Sequence, residues 1–369
     1  MAPSTPELLT TLLREVSRSF YLTMRVLPSA IRPQIGLAYL LARTADTIAD
    51  TELVPLTQRL DALRSLRERV LGLHHEPLHL GEIVRHPVSP SEPKLLKHCE
   101  SALQDIEFDK LTDPKNVRSQ GSVAEKALLD RSEEILGLLA RFSSSDQQLI
   151  RRVLATITSG QELDLQRFAE AGQRVIALQT DEELDDYTYR VAGCVGEFWT
   201  QMARAHLFPD DPLDAARLLA NGIRFGKGLQ LVNVLRDLPA DLRQGRCYVP
   251  AGPLAACGMT PEDLLHAANE PQFRPLYQTY LAQAESHLAA GWEYTNTVPR
   301  RWWRVRLACA WPILIGIKTL AKLRTQNVLD GQQRLKITRA EVRKLMLRSI
   351  VSHPWPTAWD RLFARVKAG

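Results

Sequence analysis

Two aspartate pairs constrain this chain more than any other feature. One is Asp46-Thr47-Ile48-Ala49-Asp50, at the end of an apolar run that begins near Ile35; the other is Asp237-Leu238-Pro239-Ala240-Asp241. Each sets two carboxylates at i and i+4, which a helix brings onto one face about 5–6 Å apart. Like charges at that spacing repel by roughly a few tenths of a kcal/mol in water, so a single pair is a small defect, most often a solvated acidic turn. Two matched pairs on separate apolar helices call for a cation that offsets the repulsion. Hard oxygen ligands favour Mg²⁺, which keeps several waters and binds through one or two carboxylates together with substrate phosphates. Asp46, Asp50, Asp237 and Asp241 are therefore the candidate metal ligands.

The flanks of the two pairs differ. Tyr39, Arg43, Asp46 and Asp50 follow one another at steps of 4, 3 and 4, one stripe on a helix whose other positions include Leu37, Leu40, Leu41, Ala45 and Ile48. Such a stripe is either the wall of an internal cavity or a helix edge with an Arg–Asp ion pair. In the second region Gln230, Asn233, Asp237 and Asp241 also fall on one helical stripe. Pro239 interrupts it: it lacks an N–H and its ring opposes the carbonyl of Leu235, so the helix over 214–237 is expected to kink or end here. Arg236, Arg243 and Arg246 cluster nearby, before the exit Cys247-Tyr248-Val249-Pro250. Guanidinium forks beside carboxylates suit a Mg²⁺–diphosphate better than a bare ion, with surface ion pairing as the alternative.

Elsewhere helical periodicity covers about 5–17, 56–73, 94–107, 122–141, 145–170, 181–207, 261–268, 272–298, 300–325 and 339–351. Gln161 and Asp164 share a face of the helix over 145–170 and belong either to the same cavity or to a surface edge. In the helix over 181–207, Val191-Ala192-Gly193-Cys194-Val195-Gly196 is small and apolar, which permits close helix packing or room for a bulky ligand; Tyr187 lies one turn before it. At the end of the chain Trp359, Leu362, Phe363 and Val366 form an apolar stripe with Arg361, Arg365 and Lys367 on other faces. That helix either lies on an anionic bilayer as a peripheral contact or packs back on the body. No long stretch alternates as a strand does, and GxGxxG and Walker sequences are absent, which argues against dinucleotide-fold and P-loop enzymes. The reading is a single all-α domain over 1–369, core about 10–325 with a helical extension about 335–369, its acidic helices facing a central cavity.

The 369 residues, 45 % hydrophobic and 24 % charged, are those of an ordinary globular protein. A net charge of +5 fits anionic substrates or a membrane surface and is too dispersed to point to nucleic acid. Five cysteines without CxxC spacing suggest reduced thiols in a cytoplasmic setting and no zinc site, and the lone His74-His75 pair suits a solvated loop. The N-terminus shows no signal-peptide pattern. The longest apolar run, Leu307 to Ile317, is too short for a bilayer, so no transmembrane helix is expected.

Ser17-Arg18-Ser19-Phe20, the run from Tyr39 to Asp50, Tyr187 with Val191-Ala192-Gly193, and Asn233-Val234-Leu235-Arg236-Asp237 through Gly245-Arg246 together resemble the squalene/phytoene synthases, over about residues 10–325 and in that family's order. The resemblance implies the isoprenoid synthase fold and head-to-head joining of two prenyl diphosphates, with Mg²⁺ held by two acidic helices. Cys309-Ala310-Trp311-Pro312 resembles a squalene synthase segment, and Leu335-Lys336-Ile337-Thr338-Arg339 resembles a basic stretch that helps hold NADPH in reductive members, which implies Lys336 and Arg339 as cofactor residues. Three positions depart from the squalene synthase pattern: Thr51 and Ala240 stand where acids are usual, and Ala308 where a Phe lines the pocket of the second reaction. The Gly-Arg-x-Tyr-x-Pro ending at Pro250 is shared with phytoene synthases.

The implied substrates are two molecules of farnesyl diphosphate. Arg18, Arg43, Arg236 and Arg246 would take up developing negative charge, and Tyr39 and Tyr187 would stabilise cations and relay a proton. Ser17, Ser19, Phe20, Val191, Ala192, Gly193, Gln230 and Asn233 would line the substrate site. The resemblance points first to squalene synthase and next to relatives that make presqualene diphosphate, hydroxysqualene, phytoene or dehydrosqualene without reduction. A non-catalytic relative and a cyclising terpene synthase follow.

Overall fold

The structure, a computed structural model, describes residues 11–17, 20–50, 54–78, 80, 123–171, 174–331 and 337–368, and only the backbone of 17 and 20–22. It is helical almost throughout. The described residues include one two-stranded parallel ladder, β1 (Ile176–Ala177) with β2 (Arg246–Cys247), Ile176 opposite Arg246. The helix expected at 94–107 and the first half of that at 5–17 lie outside the described residues. The chain divides into two compact units, Met1–Leu165 with Gln201–Asp210 and Gln166–Thr200 with Asp211–Gly369.

The first unit contains α1 (Leu13–Ser17), α2 (Phe20–Val26), α3 (Arg32–Asp50), α4 (Leu56–Leu71), α5 (Ser132–Gly137) and α6 (Ser144–Arg167). Helix α3 begins with Pro33 in its first turn, where a missing N–H costs nothing. Every residue from Gln34 to Ile48 is buried, so α3 is an interior helix and not the edge of one. Its interior hydroxyls are satisfied within the helix: Thr44 Oγ1 donates to the Leu40 carbonyl at 3.0 Å and Thr47 Oγ1 to that of Arg43 at 2.9 Å. Leu63, Leu66 and Val70 of α4 and Ile135 of α5 are buried in the helices that pack on it. Gly72, at φ 75°, ends α4 in the left-handed region that a side chain disfavours.

The second unit contains α7 (Asp181–Thr188), a π turn over Tyr189–Gly193, the start of α8 (Cys194–Leu207), α9 (Ala215–Arg243), α10 (Ala251–Ala256), α11 (Glu270–Thr297), α12 (Trp303–Leu323), α13 (Arg339–Ser352) and α14 (Pro356–Lys367). Thr180 caps α7 by accepting from the Glu183 N–H, and acids fill its first turn. Helix α9 packs along α11 at close range. A Cβ added at Gly228 would meet Cβ of His287 at 2.8 Å and the backbone nitrogen of Leu288 at 3.1 Å.

Of the two outcomes expected at Pro239, a kink or an end, the helix does not end: α9 continues through Pro239 to Arg243. An interior proline costs a helix about 3 kcal/mol, and a buried carbonyl left without a donor adds to the cost. The carbonyl that loses its amide partner is that of Leu235, and the Tyr277 hydroxyl of α11 donates to it at 3.0 Å. The stretch 261–268 forms two 3₁₀ turns, Glu262–Leu265 and Ala267–Asn269, in place of a helix. Asp263 Oδ2 accepts from the Thr260 N–H at 2.7 Å and from its hydroxyl at 2.9 Å, and His266 between the turns is extended.

Of the two uses open to the C-terminal stripe, packing on the body is the one it makes. Trp359, Leu362 and Val366 are buried; Trp359 stacks on Trp292 at 5.1 Å, and its indole N–H donates to Asn296 Oδ1 at 2.6 Å. Among the described residues no helix is long and apolar enough to cross a membrane.

Candidate active site

In the first unit the acidic stripe of α3 is interior. Tyr39, Arg43 and Asp46 are each at most 6 % exposed, and Asp50 at the helix end is half-buried. Gln161 Nε2 of α6 donates to Asp46 Oδ1 at 2.9 Å. That bond settles which face of α6 carries Gln161: it reaches the acid, whereas its neighbour Glu162 pairs with Arg67 at 2.8 Å. Arg43 Nη1 stands 3.9 Å from Asp46 Oδ2 and its Nη2 donates to Glu125 Oε1 at 2.8 Å. Arg43 thus stands between two carboxylates, Asp46 of its own helix and Glu125.

In the second unit the polar stripe of α9 is also largely interior. Gln230 and Asn233 are 1 % and 2 % exposed and Asp241 is 6 % exposed, while the Asp237 side chain is 31 % exposed. Asp237 and Asp241 both lie within α9, one on either side of Pro239. Arg236 forks onto Asp237, Nε to Oδ1 at 2.9 Å and Nη2 to Oδ2 at 2.6 Å. Gln230 Nε2 donates to the Tyr187 hydroxyl at 3.2 Å, and the Tyr187 ring stacks on Tyr248 with centroids 4.5 Å apart. Phe168 meets Tyr248 edge-on at 5.2 Å and lies 5.8 Å from the Arg246 guanidinium. The result is a buried aromatic group with a cation over it and a hydroxyl held by an amide.

Val191, Ala192 and Gly193 occupy the π turn and are buried. A Cβ at Gly226 of α9 would fall 2.1 Å from the Ala192 carbonyl oxygen, and one at Gly193 would fall 3.2 Å from the Lys227 side chain. The backbone at Ala192 and Gly193 therefore packs closely on α9; π turns are frequent at functional sites.

Arg18, Ser19 and Lys336 lie outside the described residues, as do Thr51 and Cys99, and the side chains of Ser17 and Phe20 are not described. Arg339 is exposed in the first turn of α13, whose N-terminus is closed by a capping box between Thr338 and Glu341. Sequence reasoning missed Glu125, Phe168 and the stacking role of Tyr248. Tyr248 alone had a signal: it follows Arg246 by two residues at a strand, so the two share a face. The four described cysteines are free; burial pushes the Cys247 and Cys309 thiols up to about 12, which leaves them inert as nucleophiles.

Among the described residues no group of three or more His, Cys, Asp or Glu side chains is gathered to hold an ion unaided. Carboxylate pairs with oxygen donors only, flanked by arginines, fit Mg²⁺ whose shell is completed by water and phosphate oxygens.

A family model described as squalene/phytoene synthase matches residues 13–341. A presqualene diphosphate synthase of Zymomonas mobilis is 26 % identical over 285 residues, covering 77 % of this chain and 73 % of that protein. A bifunctional lycopene cyclase/phytoene synthase of Colletotrichum graminicola is 25 % identical over 288 residues, 78 % of this chain. The match spans 41 % of that longer protein, less than half its length. In three dimensions the chain resembles TcSQS in complex with the ligand BPH1237, with a TM-score of 0.67, 18 % identity, and coverage of 98 % of this chain and 96 % of that one.

Proposed function

We propose that this chain, which belongs to the squalene/phytoene synthase family, joins two farnesyl diphosphates head to head to presqualene diphosphate and reduces that product with NADPH to squalene. Members of the family are prenyltransferase-type enzymes. The observation that carries the reading is the matched pair of acidic helices, Asp46 and Asp50 in α3 with Arg43 beside them, Asp237 and Asp241 in α9 with Arg236. Asp46, Asp50, Asp237 and Asp241 would hold Mg²⁺, which when bound neutralises diphosphate oxygens and makes diphosphate a better leaving group.

The residues of the chain do the rest. Arg43, Arg236, Arg246 and Arg18 offset the negative charge that grows as the allylic C–O bond breaks and diphosphate departs with the electron pair. The 2,3-double bond of the second farnesyl chain supplies the electrons of the new C–C bond, and proton loss closes the cyclopropane. The ring faces of Tyr39 and Tyr187 would stabilise the cation, and the Tyr187 hydroxyl, which accepts from Gln230, would move a proton. Ser17, Ser19, Phe20, Val191, Ala192, Gly193 and Asn233 line the substrate. Burial of the two stripes excludes water, which would quench a cation as an alcohol. In the reductive half, presqualene diphosphate would lose its remaining diphosphate with the electron pair and rearrange to a cation; Lys336 and Arg339 would hold the phosphates of NADPH, which when bound would supply the hydride.

A second reading ends the reaction without reduction. Ala308, buried in α12 where reductive relatives carry Phe, favours it, as do relatives named presqualene diphosphate synthase and phytoene synthase. Incubation with farnesyl diphosphate and Mg²⁺, with and without NADPH, separates the two. Squalene formed only with NADPH supports the first reading. A cyclopropyl diphosphate, an alcohol or a triene unchanged by NADPH replaces it with the second, and preference for geranylgeranyl diphosphate points to phytoene. No consumption of either diphosphate would sink both.

A further inference from the structure

The structure assigns to Tyr277 the task of positioning the second acidic pair: its hydroxyl stands in for the amide proton that Pro239 lacks and keeps α9 regular between Asp237 and Asp241. The proline lies between the two acids, and the carbonyl it deprives of a partner is that of Leu235, two residues before the first of them. Leu235 is 1 % exposed, so water is a poor substitute donor there. The Tyr277 hydroxyl makes the bond at 3.0 Å from a neighbouring helix. Tyr277 is itself fully buried, and its ring is fixed by Phe273 at 5.5 Å and by the Arg274 guanidinium at 5.6 Å. Burial also raises its pKa well above the ordinary phenol value, so the hydroxyl keeps its proton and stays a donor at any physiological pH. Tyr277 touches no reacting atom in this scheme; it acts through the backbone.

A kink at Pro239 would change the direction of the chain between the acids. Two carboxylates set for one ion would then no longer share a helix face. A chain with a different residue at 239 has an N–H of its own and no need of the tyrosine. The dependence on Tyr277 is therefore expected to exist only while position 239 is proline, and that conditional distinguishes positioning from ordinary core packing.

The inference rests on the reading of Asp237 and Asp241 as Mg²⁺–diphosphate residues, and a double-mutant cycle on the full chain keeps the two separable. Tyr277→Phe, Pro239→Ala and the double variant are compared by thermal unfolding and by the Mg²⁺ concentration that half-saturates consumption of farnesyl diphosphate. Tyr277→Phe alone should lower the unfolding midpoint by about 2–4 °C and raise the Mg²⁺ requirement about fivefold or more. In the Pro239→Ala background the same change should move the Mg²⁺ requirement by less than about twofold. Equal effects of Tyr277→Phe in both backgrounds would overturn the proposal, as would failure of both tyrosine variants to fold. Folding restored only in the double variant would support it. Coupling in the unfolding midpoint without coupling in the Mg²⁺ requirement would remove the positioning role. If the wild-type chain consumes no prenyl diphosphate, the functional reading fails, and the unfolding cycle still decides whether Tyr277 replaces the missing amide.

Discussion

The two acidic helices carry the same pair of carboxylates and are held in opposite ways. Helix α3 is continuous by its own composition: it is buried from Gln34 to Ile48, its Thr44 and Thr47 hydroxyls are satisfied within it, and no proline interrupts its ladder beyond the first turn. What its neighbours supply is polar, the Gln161 amide on Asp46 and Glu125 on Arg43. Helix α9 holds its first acid with a residue of its own, Arg236 on Asp237, but borrows its backbone regularity from Tyr277. One helix imports side-chain chemistry and the other imports a hydrogen-bond donor for its backbone. A motif of identical spacing therefore says nothing about which part of its geometry is secured locally.

The largest expected effect treats the helices alike. Asp46→Asn and Asp237→Asn should each reduce turnover of farnesyl diphosphate by about 10²–10³-fold or more while the far-ultraviolet circular dichroism stays helical. Full activity in either variant would remove that pair from the metal assignment. The next separates them. Gln161→Leu deletes the amide on Asp46 and should lower kcat/KM by about tenfold, with a raised Mg²⁺ requirement, because a buried carboxylate loses a donor. An unchanged Mg²⁺ requirement would show that Gln161 supports the helix and not the acid. A smaller effect is expected for Glu125→Gln. Its neutral amide weakens the bond to Arg43 and frees that cation for Asp46, which should change KM by about threefold with little change in kcat. A fall in kcat alone would place Glu125 in another role.

The smallest effect is confined to the second unit. His287 of α11 lies against Gly228 of α9, and its pKa is lowered to about 4, first by burial and then by Arg224 and Lys227, with Asp185 opposing. A histidine whose folded pKa lies below its unfolded value contributes stability above about pH 6.5, and that contribution is lost as pH falls toward 4. Hydrogen-exchange protection in α9, taken relative to the intrinsic rate at each pH, should therefore fall between pH 6.5 and 4.5 before protection in α3 does. His287→Asn should flatten that difference; an unaltered pH dependence in the variant would assign it to other groups.

The sequence by itself determined the helical class, because apolar residues recur at helical steps along nearly the whole chain and no long alternating run competes. It also determined which carboxylates form pairs, because i, i+4 spacing on a helix is a local property, and it put Tyr39 and Arg43 on the stripe that α3 shows. The order of the motifs was enough to indicate the family. Only the tertiary structure decided the fate of Pro239. A proline inside a helical pattern signals a kink or an end when read alone, and the donor for the carbonyl it deprives comes from Tyr277, 42 positions from Leu235 in the chain. Glu125 and Phe168 were invisible for the same reason: each acts on a residue far from it in sequence, Arg43 and Tyr248, and no local spacing records such a contact. The C-terminal stripe was legible as apolar, but what covers it is Trp292 and the helices around it, which only packing chooses. Spacing fixes what a helix presents, and its neighbours decide whether the helix persists and what its side chains meet.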